Sequence, residues 1–411
     1  MYKLLSFLGT TPYKKAYYNY DNVKSERPYQ FVQEALIEFF HEKLKNGQMI
    51  VFLTEESKRR NWLGRTESKS ANFENGLKNR LDSVKKEFNL EAKGIEIPEG
   101  RSEKELWNIF EKMNEIINEE DTIIFDITHS FRSLPLLTLI VLNYVKFLKR
   151  VKIERIVYGA MEALGYPEEV KKMPLEEREI PLFDLTPFAK LFDWTVAIER
   201  FLETGDAKMI KKIGIKELKP LLAESSGEKG GKIRDLINLL NKFSKNVSTC
   251  RAPEFKENIK NISETIPDAK KELERLKPFK PLFTEIEKKF SIKVEDDVTS
   301  GLETARWCLE KDLIQQGFTI LRETIINYVI INFLNSNDLK NKSNREKTEK
   351  MLNERSEKVP KKILDLWREI IDYRNDINHG GWRRTNYHKS EKFKKKLEEF
   401  IKRLYKLTKN D

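Results

Sequence analysis

Near the C-terminal end of the 411-residue chain, Arg374 and His379 stand five positions apart in the run Asp372-Tyr373-Arg374-Asn375-Asp376-Ile377-Asn378-His379-Gly380-Gly381. Cutting RNA without a metal needs a base near neutrality to take the 2′-hydroxyl proton, and histidine is the side chain suited to that. It also needs a fixed positive fork on the scissile phosphate, which arginine supplies. An amide beside the arginine, here Asn375, can orient either group. On an ideal helix five positions advance about 500°, so the two side chains would sit roughly 140° apart. They converge only if the helix ends between them or a second copy brings its own pair. Asn378 and Gly380-Gly381 supply such an end. Trp382, Arg383, Arg384 and Tyr387 follow at once, mixing cations with aromatics as single-stranded nucleic-acid sites do. On spacing alone another reading stays open: Arg374 pairs with Asp372 or Asp376, and His379 caps a helix.

A second group lies in the N-terminal half. The run Thr122-Ile123-Ile124-Phe125-Asp126 reads as a buried strand, and Ile127-Thr128-His129-Ser130-Phe131-Arg132 then opens a helix. Backbone N–H groups there, with Thr128, Ser130 and Arg132, would cradle a phosphate, and open α/β sheets bind ligands at this carboxyl edge. The first strand ends in Gly9-Thr10-Thr11, where glycine lets a ligand approach the backbone, and Gly159 follows the fifth strand. Taken singly, Gly-Thr reads equally as a turn and Asp126 or Thr128 as a helix cap. The glycines around Lys229 and Lys232 lack the spacing and preceding strand of a phosphate-binding loop, and no G-x-G-x-x-G occurs. ATP hydrolysis and NAD binding are therefore unsupported.

The elements around these residues fall into two grammars. Strand-like runs at Leu4–Leu8, Met49–Leu53, Gly94–Ile97, Thr122–Asp126 and Ile153–Tyr158 alternate with helical segments at Pro28–Lys45, Ser70–Phe88, Glu103–Asn118 and Phe131–Lys149. That alternation predicts a Rossmann-like, doubly wound parallel sheet over residues 1–185. From 186 to 411 the strand signal disappears and an all-α region is expected, with 205–300 a possible helical insertion or linker. Within it Phe188–Leu202 reads as an amphipathic helix packed through Phe188, Leu191, Phe192, Thr195, Ile198 and Leu202. Leu302–Leu334 is the longest periodic stretch, Asn335–Glu357 reads as a mobile loop or frayed helix, and Pro360–Ile377 and Ser390–Leu407 close the chain.

Composition narrows the partners. Lysine and arginine exceed aspartate and glutamate, 77 to 66, for a net charge of +11. This suits a polyanionic partner or, equally, a thermophile-style charged surface. Two cysteines and four histidines without an HxH or HxxxH pair argue against a disulfide framework and a zinc site. With no signal-peptide pattern at the N-terminus and no run near 20 apolar residues, a cytoplasmic location is expected and no membrane partner.

The R-N-x-x-x-H stretch in a helical C-terminal region resembles the motif of the HEPN ribonuclease superfamily, and Gln315–Glu323 resembles the long early helix of such domains. The opening LSFLGT and the later FDITHSFRSLP resemble CARF domains of CRISPR-associated proteins, in the branch fused to a C-terminal HEPN domain. The resemblance implies a homodimer that binds cyclic oligoadenylate, as tetra- or hexa-adenylate, made by a type III CRISPR complex. Gly9, Thr10, Thr11, Asp126, Thr128, His129, Ser130, Phe131, Arg132 and Gly159 would line that ligand site. By motif position Arg374 would bind the scissile phosphate, Asn375 would support it, and His379 would act on the 2′-hydroxyl. Trp382, Arg383 and Arg384 would contact single-stranded RNA. No cofactor or metal is implied, and products ending in 2′,3′-cyclic phosphate are expected. Two other functions remain open: a ring nuclease that degrades its own activator, and a non-catalytic, ligand-dependent nucleic-acid-binding regulator.

Overall fold

The computed structural model describes residues 1–64, 76–129, 134–224, 230–273, 278–291, 294–382 and 387–409, which form two compact units, Met1–Lys190 and Leu191–Asp411. The first is built on one sheet of strands β1 (Tyr2–Phe7), β2 (Tyr17–Tyr20), β3 (Val23–Lys24), β4 (Gln48–Leu53), β5 (Glu91–Glu96), β6 (Thr122–Asp126), β7 (Lys152–Gly159) and β8 (Glu179–Asp184). Their order is β3-β2-β8-β7-β6-β1-β4-β5. The five strands from β5 to β7 are parallel and correspond to the five expected from the sequence. Beyond them the purely parallel expectation needs correcting, because β8 runs antiparallel to β7 and brings β2 and β3 with it.

The inner parallel strands β1, β4 and β6 are largely apolar on both faces because both are covered, whereas the edge strand β5 exposes Glu91, Lys93 and Glu96. Leu4, Met49 and Ile124 pack under the helix Val32–Leu44, whereas Leu5, Ile50, Ile123 and Phe125 pack under the helices Glu103–Ile116 and Leu134–Leu148. Neighbouring residues thus enter opposite cores, as the two-residue period of a strand dictates. Chain order reverses at β1, with β4 on one side and β6 on the other. The carboxyl ends of β1 and β6 therefore border the topological switch point, where open α/β sheets bind ligands.

The second unit is helical, as expected. Its elements among the described residues are Thr186–Thr204, Lys208–Glu224, Gly231–Ser248, Phe255–Glu272, Lys280–Phe290, Asp297–Glu310, Ile314–Phe333, Lys342–Asn353, Lys361–Asn378 and Ser390–Lys409. One hydrophobic core joins them, and Leu240, Ile262 and Ile286 of the 205–300 segment share it with Phe318, Ile370 and Phe400. Two local expectations change. The helix from Thr186 buries Trp194, Ala197, Ile198 and Phe201, while Phe188 and Phe192 face solvent. The segment 335–357 contains the regular helix Lys342–Asn353. It is docked by tertiary ion pairs, Arg345 to Glu323 and Arg322 to Glu349, which a periodicity reading cannot see. Among the described residues no helix is long and apolar enough to cross a membrane.

One charge is buried at the amino edge of the sheet. Lys3 Nζ, 1% exposed, lies 2.7 Å from Asp121 Oδ2 and donates to Ile116 O at 2.6 Å. Burial alone would raise the Asp121 pKa, but Lys3, the Asn118 N–H and the N-terminal ammonium outweigh it and hold the carboxyl below its usual range. Asp121→Ala leaves Lys3 buried and unpaired, so urea denaturation should show a loss of about 3 kcal/mol, and Lys3→Met should cost less. The pair's contribution is present above the unfolded carboxyl pKa and disappears as pH falls through the lower folded value.

Candidate functional sites

Each unit carries one of the two groups of residues singled out in the sequence. In the first, β6 delivers Asp126 to a fully buried position beside the end of β1. Its carboxylate accepts from Ser6 Oγ at 2.6 Å, from the Thr128 N–H at 2.9 Å and from Thr128 Oγ1 at 2.5 Å. Thr128 Oγ1 in turn accepts from the Gly159 N–H at 2.8 Å, and Ser6 Oγ accepts from Gln33 Nε2 at 2.9 Å. Burial raises the Asp126 pKa, and the bonds from Ser6 and Thr128 oppose that shift. Three strand ends are thereby tied beneath the crevice. Asp126 and Gly159 are buried, so they shape the crevice floor, while Thr10, Thr128 and His129 are half-buried and Thr11 is open to solvent. Ser130, Phe131 and Arg132 lie outside the described residues.

The loop after β1 is held by residues that spacing gave no reason to choose. The Tyr13 hydroxyl accepts from the Gly9 N–H at 2.8 Å and sits 2.5 Å from where a Cβ on residue 9 would stand. The close approach that requires glycine here is thus made by Tyr13. Asn61 Nδ2 donates to Gly9 O at 2.8 Å and Thr11 O at 2.9 Å, from a π-helical turn at Lys58–Trp62. Such turns recur at functional sites, although nothing in the sequence marked this one. The His129 ring packs against Tyr13 with centroids 4.4 Å apart. Burial lowers its pKa to about 4, so it stands there neutral at pH 7.

In the second unit the helix Lys361–Asn378 buries Ile363, Leu366, Trp367, Ile370 and Tyr373, and the same stripe continues to Asp376. Arg374, next to that stripe, is half-buried. Its guanidinium is held by two amides: Nη1 donates to Asn375 Oδ1 at 3.3 Å, and Nε donates to the Asn378 side-chain oxygen at 2.9 Å with the amide turned to face it. His379 is the helix C-cap and is exposed. The Gly380 N–H bonds Ile377 O at 3.0 Å and the Gly381 N–H bonds Asp376 O at 3.1 Å. With Gly380 at φ +60° these make a Schellman turn. The helix thus ends between Arg374 and His379, as the glycines predict, and the backbone of His379 does cap it.

The two carboxylates weighed as partners for Arg374 both bond another residue. Asp372 Oδ2 lies 2.8 Å from His388 Nε2, and Asp376 Oδ2 accepts from the His388 N–H at 2.9 Å. The His388 ring lies flat on Tyr373, centroids 3.8 Å apart at 5°, and Tyr373 is parallel to Phe318 at 5.9 Å. His388 was not singled out by the sequence, where 12 positions part it from Asp376. Trp382 is 92% exposed, as a base-stacking side chain would have to be, and Arg383 and Arg384 lie outside the described residues.

The neutral His129 makes a pH prediction. Its folded pKa lies below the unfolded value of 6.5, so the unfolded chain binds the extra proton and stability falls as pH drops from about 6.5 toward 4. Urea midpoints between pH 7.0 and 5.5 should decline in the wild type and decline less in His129→Phe. Equal declines would mean that the ring is not held neutral.

Comparison with known proteins matches most of the first unit and the first half of the second. Residues 3–162 match the family model for the CARF domain of the CRISPR system endoribonuclease Csx1. Residues 190–296 match the model for the second domain of the CRISPR-associated protein MJ1674. The chain is also 26% identical over 254 residues to the CRISPR-associated protein MJ1674 of Methanocaldococcus jannaschii, an alignment covering 60% of this chain and 36% of that protein. The N-terminal unit, with its switch point floored by Asp126, has the fold of a CARF domain, and over 254 residues the chain is similar to a CRISPR-associated protein.

Proposed function

We propose that this protein is a metal-independent endoribonuclease that cuts single-stranded RNA when cyclic oligoadenylate occupies its CARF crevice, as part of type III CRISPR defence. The observation that supports it best is the helix end at 374–381: a guanidinium oriented by two amides, and an exposed imidazole one residue past the last helical turn. In the proposed reaction His379 takes the 2′-hydroxyl proton. The 2′-oxygen attacks phosphorus, the bond to the 5′-oxygen breaks as that oxygen takes a proton from water, and a 2′,3′-cyclic phosphate remains on one product. Arg374 neutralises the charge that develops on the phosphoryl oxygens.

Arg374 lies in the last helical turns and His379 just past the helix end, and on this reading a homodimer brings two such ends together into one site. Thr10, Thr11 and Thr128, with Ser130 and Arg132, would contact a ligand of matching two-fold symmetry at the carboxyl edge of the CARF sheet. Asp126 would act beneath it by holding Thr128 in place.

The test is cleavage of a fluorophore–quencher RNA in EDTA, with no ligand, cyclic tetra-adenylate or cyclic hexa-adenylate. Cutting should appear with one ring size and fall by about 10²-fold or more in Arg374→Ala and in His379→Ala, with ligand affinity retained. Arg132→Ala should weaken activation instead. Ligand binding without cutting under any of these conditions would replace this reading with the non-catalytic regulator. Conversion of cyclic to linear oligoadenylate that persists in His379→Ala would add ring-nuclease activity to the CARF domain.

A further inference from the structure

The residue just past the helix end is followed by Gly380-Gly381, the pair least able to hold a chain in one conformation. Helix ends fray, and misplacing a catalytic group by about 1 Å can cost on the order of 10²-fold in rate. Something beyond the local turn has to hold His379. Three contacts of His388 do this. Its N–H bonds Asp376 Oδ2 at 2.9 Å, and Asp376 is the residue whose carbonyl closes the Schellman turn. Its Nε2 lies 2.8 Å from Asp372 Oδ2, one helical turn earlier. Its ring lies flat on Tyr373, and Phe393 meets it edge-on at 6.1 Å.

The side chain is only 18% exposed. The preceding residue, Tyr387, lies against the turn, with its Cε2 3.2 Å from where a Cβ on residue 381 would stand. We infer that His388 is a positioning residue for His379: it pins the returning chain to the Arg374 helix and so holds the glycine turn closed from its far side. The inference rests on the ribonuclease reading for its consequence in rate, but the placement itself can be measured without any cutting.

The experiment uses the full chain with 13C-labelled histidine, where four histidines give a resolvable spectrum and His379→Ala and His388→Ala assign two of the signals. His388→Ala should shift or broaden the His379 signal. It should also lower kcat on the RNA substrate about 10- to 100-fold with KM within about twofold. His388→Phe keeps the stack on Tyr373 and loses the bond to Asp372, so it should restore part of both, and it carries the test if the alanine variant fails to fold. An unmoved His379 signal with unchanged cutting in both variants overturns the inference. So does loss of cutting as deep as in His379→Ala with the His379 signal in place, which would make His388 a reacting group. If the wild type cuts no RNA, the ribonuclease reading fails, while the His379 signal still decides the placement.

Discussion

A carboxylate taken out of water must be met by donors, and the fold uses that requirement to fasten a turn in each unit. Asp126, fully buried, can be satisfied only if Ser6 and Thr128 stay where they are, and Thr128 then captures the Gly159 N–H. Asp376, 1% exposed, accepts the His388 N–H through Oδ2, while Oδ1 has no hydrogen-bond partner among the described residues, and its carbonyl accepts the Gly381 N–H. Leaving a buried charged group without its donors costs several kcal/mol. The aspartates therefore convert burial, which is non-directional, into a fixed path for the chain that follows. After Asp126 that path carries the half-buried Thr128 and His129, and after Asp376 the exposed His379.

What the sequence revealed and what it hid follow from the range of the forces involved. Of the five parallel strands, β1, β4 and β6 were legible because burial on both faces makes them nearly continuously apolar. β2, β3 and β8 were not, since four residues of tyrosine and asparagine, two exposed residues, and a strand interrupted by Pro181 carry no such signal. The helix Lys342–Asn353 has few apolar residues to give it a period and is fixed by Arg345 and Glu349 reaching back to Glu323 and Arg322. Phe188 and Phe192 fit a helical stripe, but the tertiary fold buries a neighbouring stripe instead.

The candidate sites divide in the same way. Arg374, His379 and the closing glycines lie within eight residues, so their chemistry and the helix end between them were both readable. Thr128 and Thr10 stood out as candidates because strand ends at a switch point are geometrically special. Tyr13, Asn61, Gln33 and His388 act through side-chain bonds closed by folding, and no spacing rule reaches them. They also share a role. None need touch a ligand, and each holds a backbone segment that would.

That division bears on how the two units could be coupled under the proposed function. One chain offers one guanidinium and one imidazole at a helix end. If the reacting site draws on two copies, activity depends on how often two such ends meet in register. A ligand that binds the productive arrangement better than the unproductive one shifts that equilibrium by its difference in affinity, and about 5.5 kcal/mol would take it from 1:99 to 99:1. Such a small difference can reach the chemistry only if the catalytic turn does not dissipate it in local fraying. Under that function, the contacts of Asp376, Tyr373 and His388 beside the 374–381 segment would be as necessary to switching as to the reaction itself.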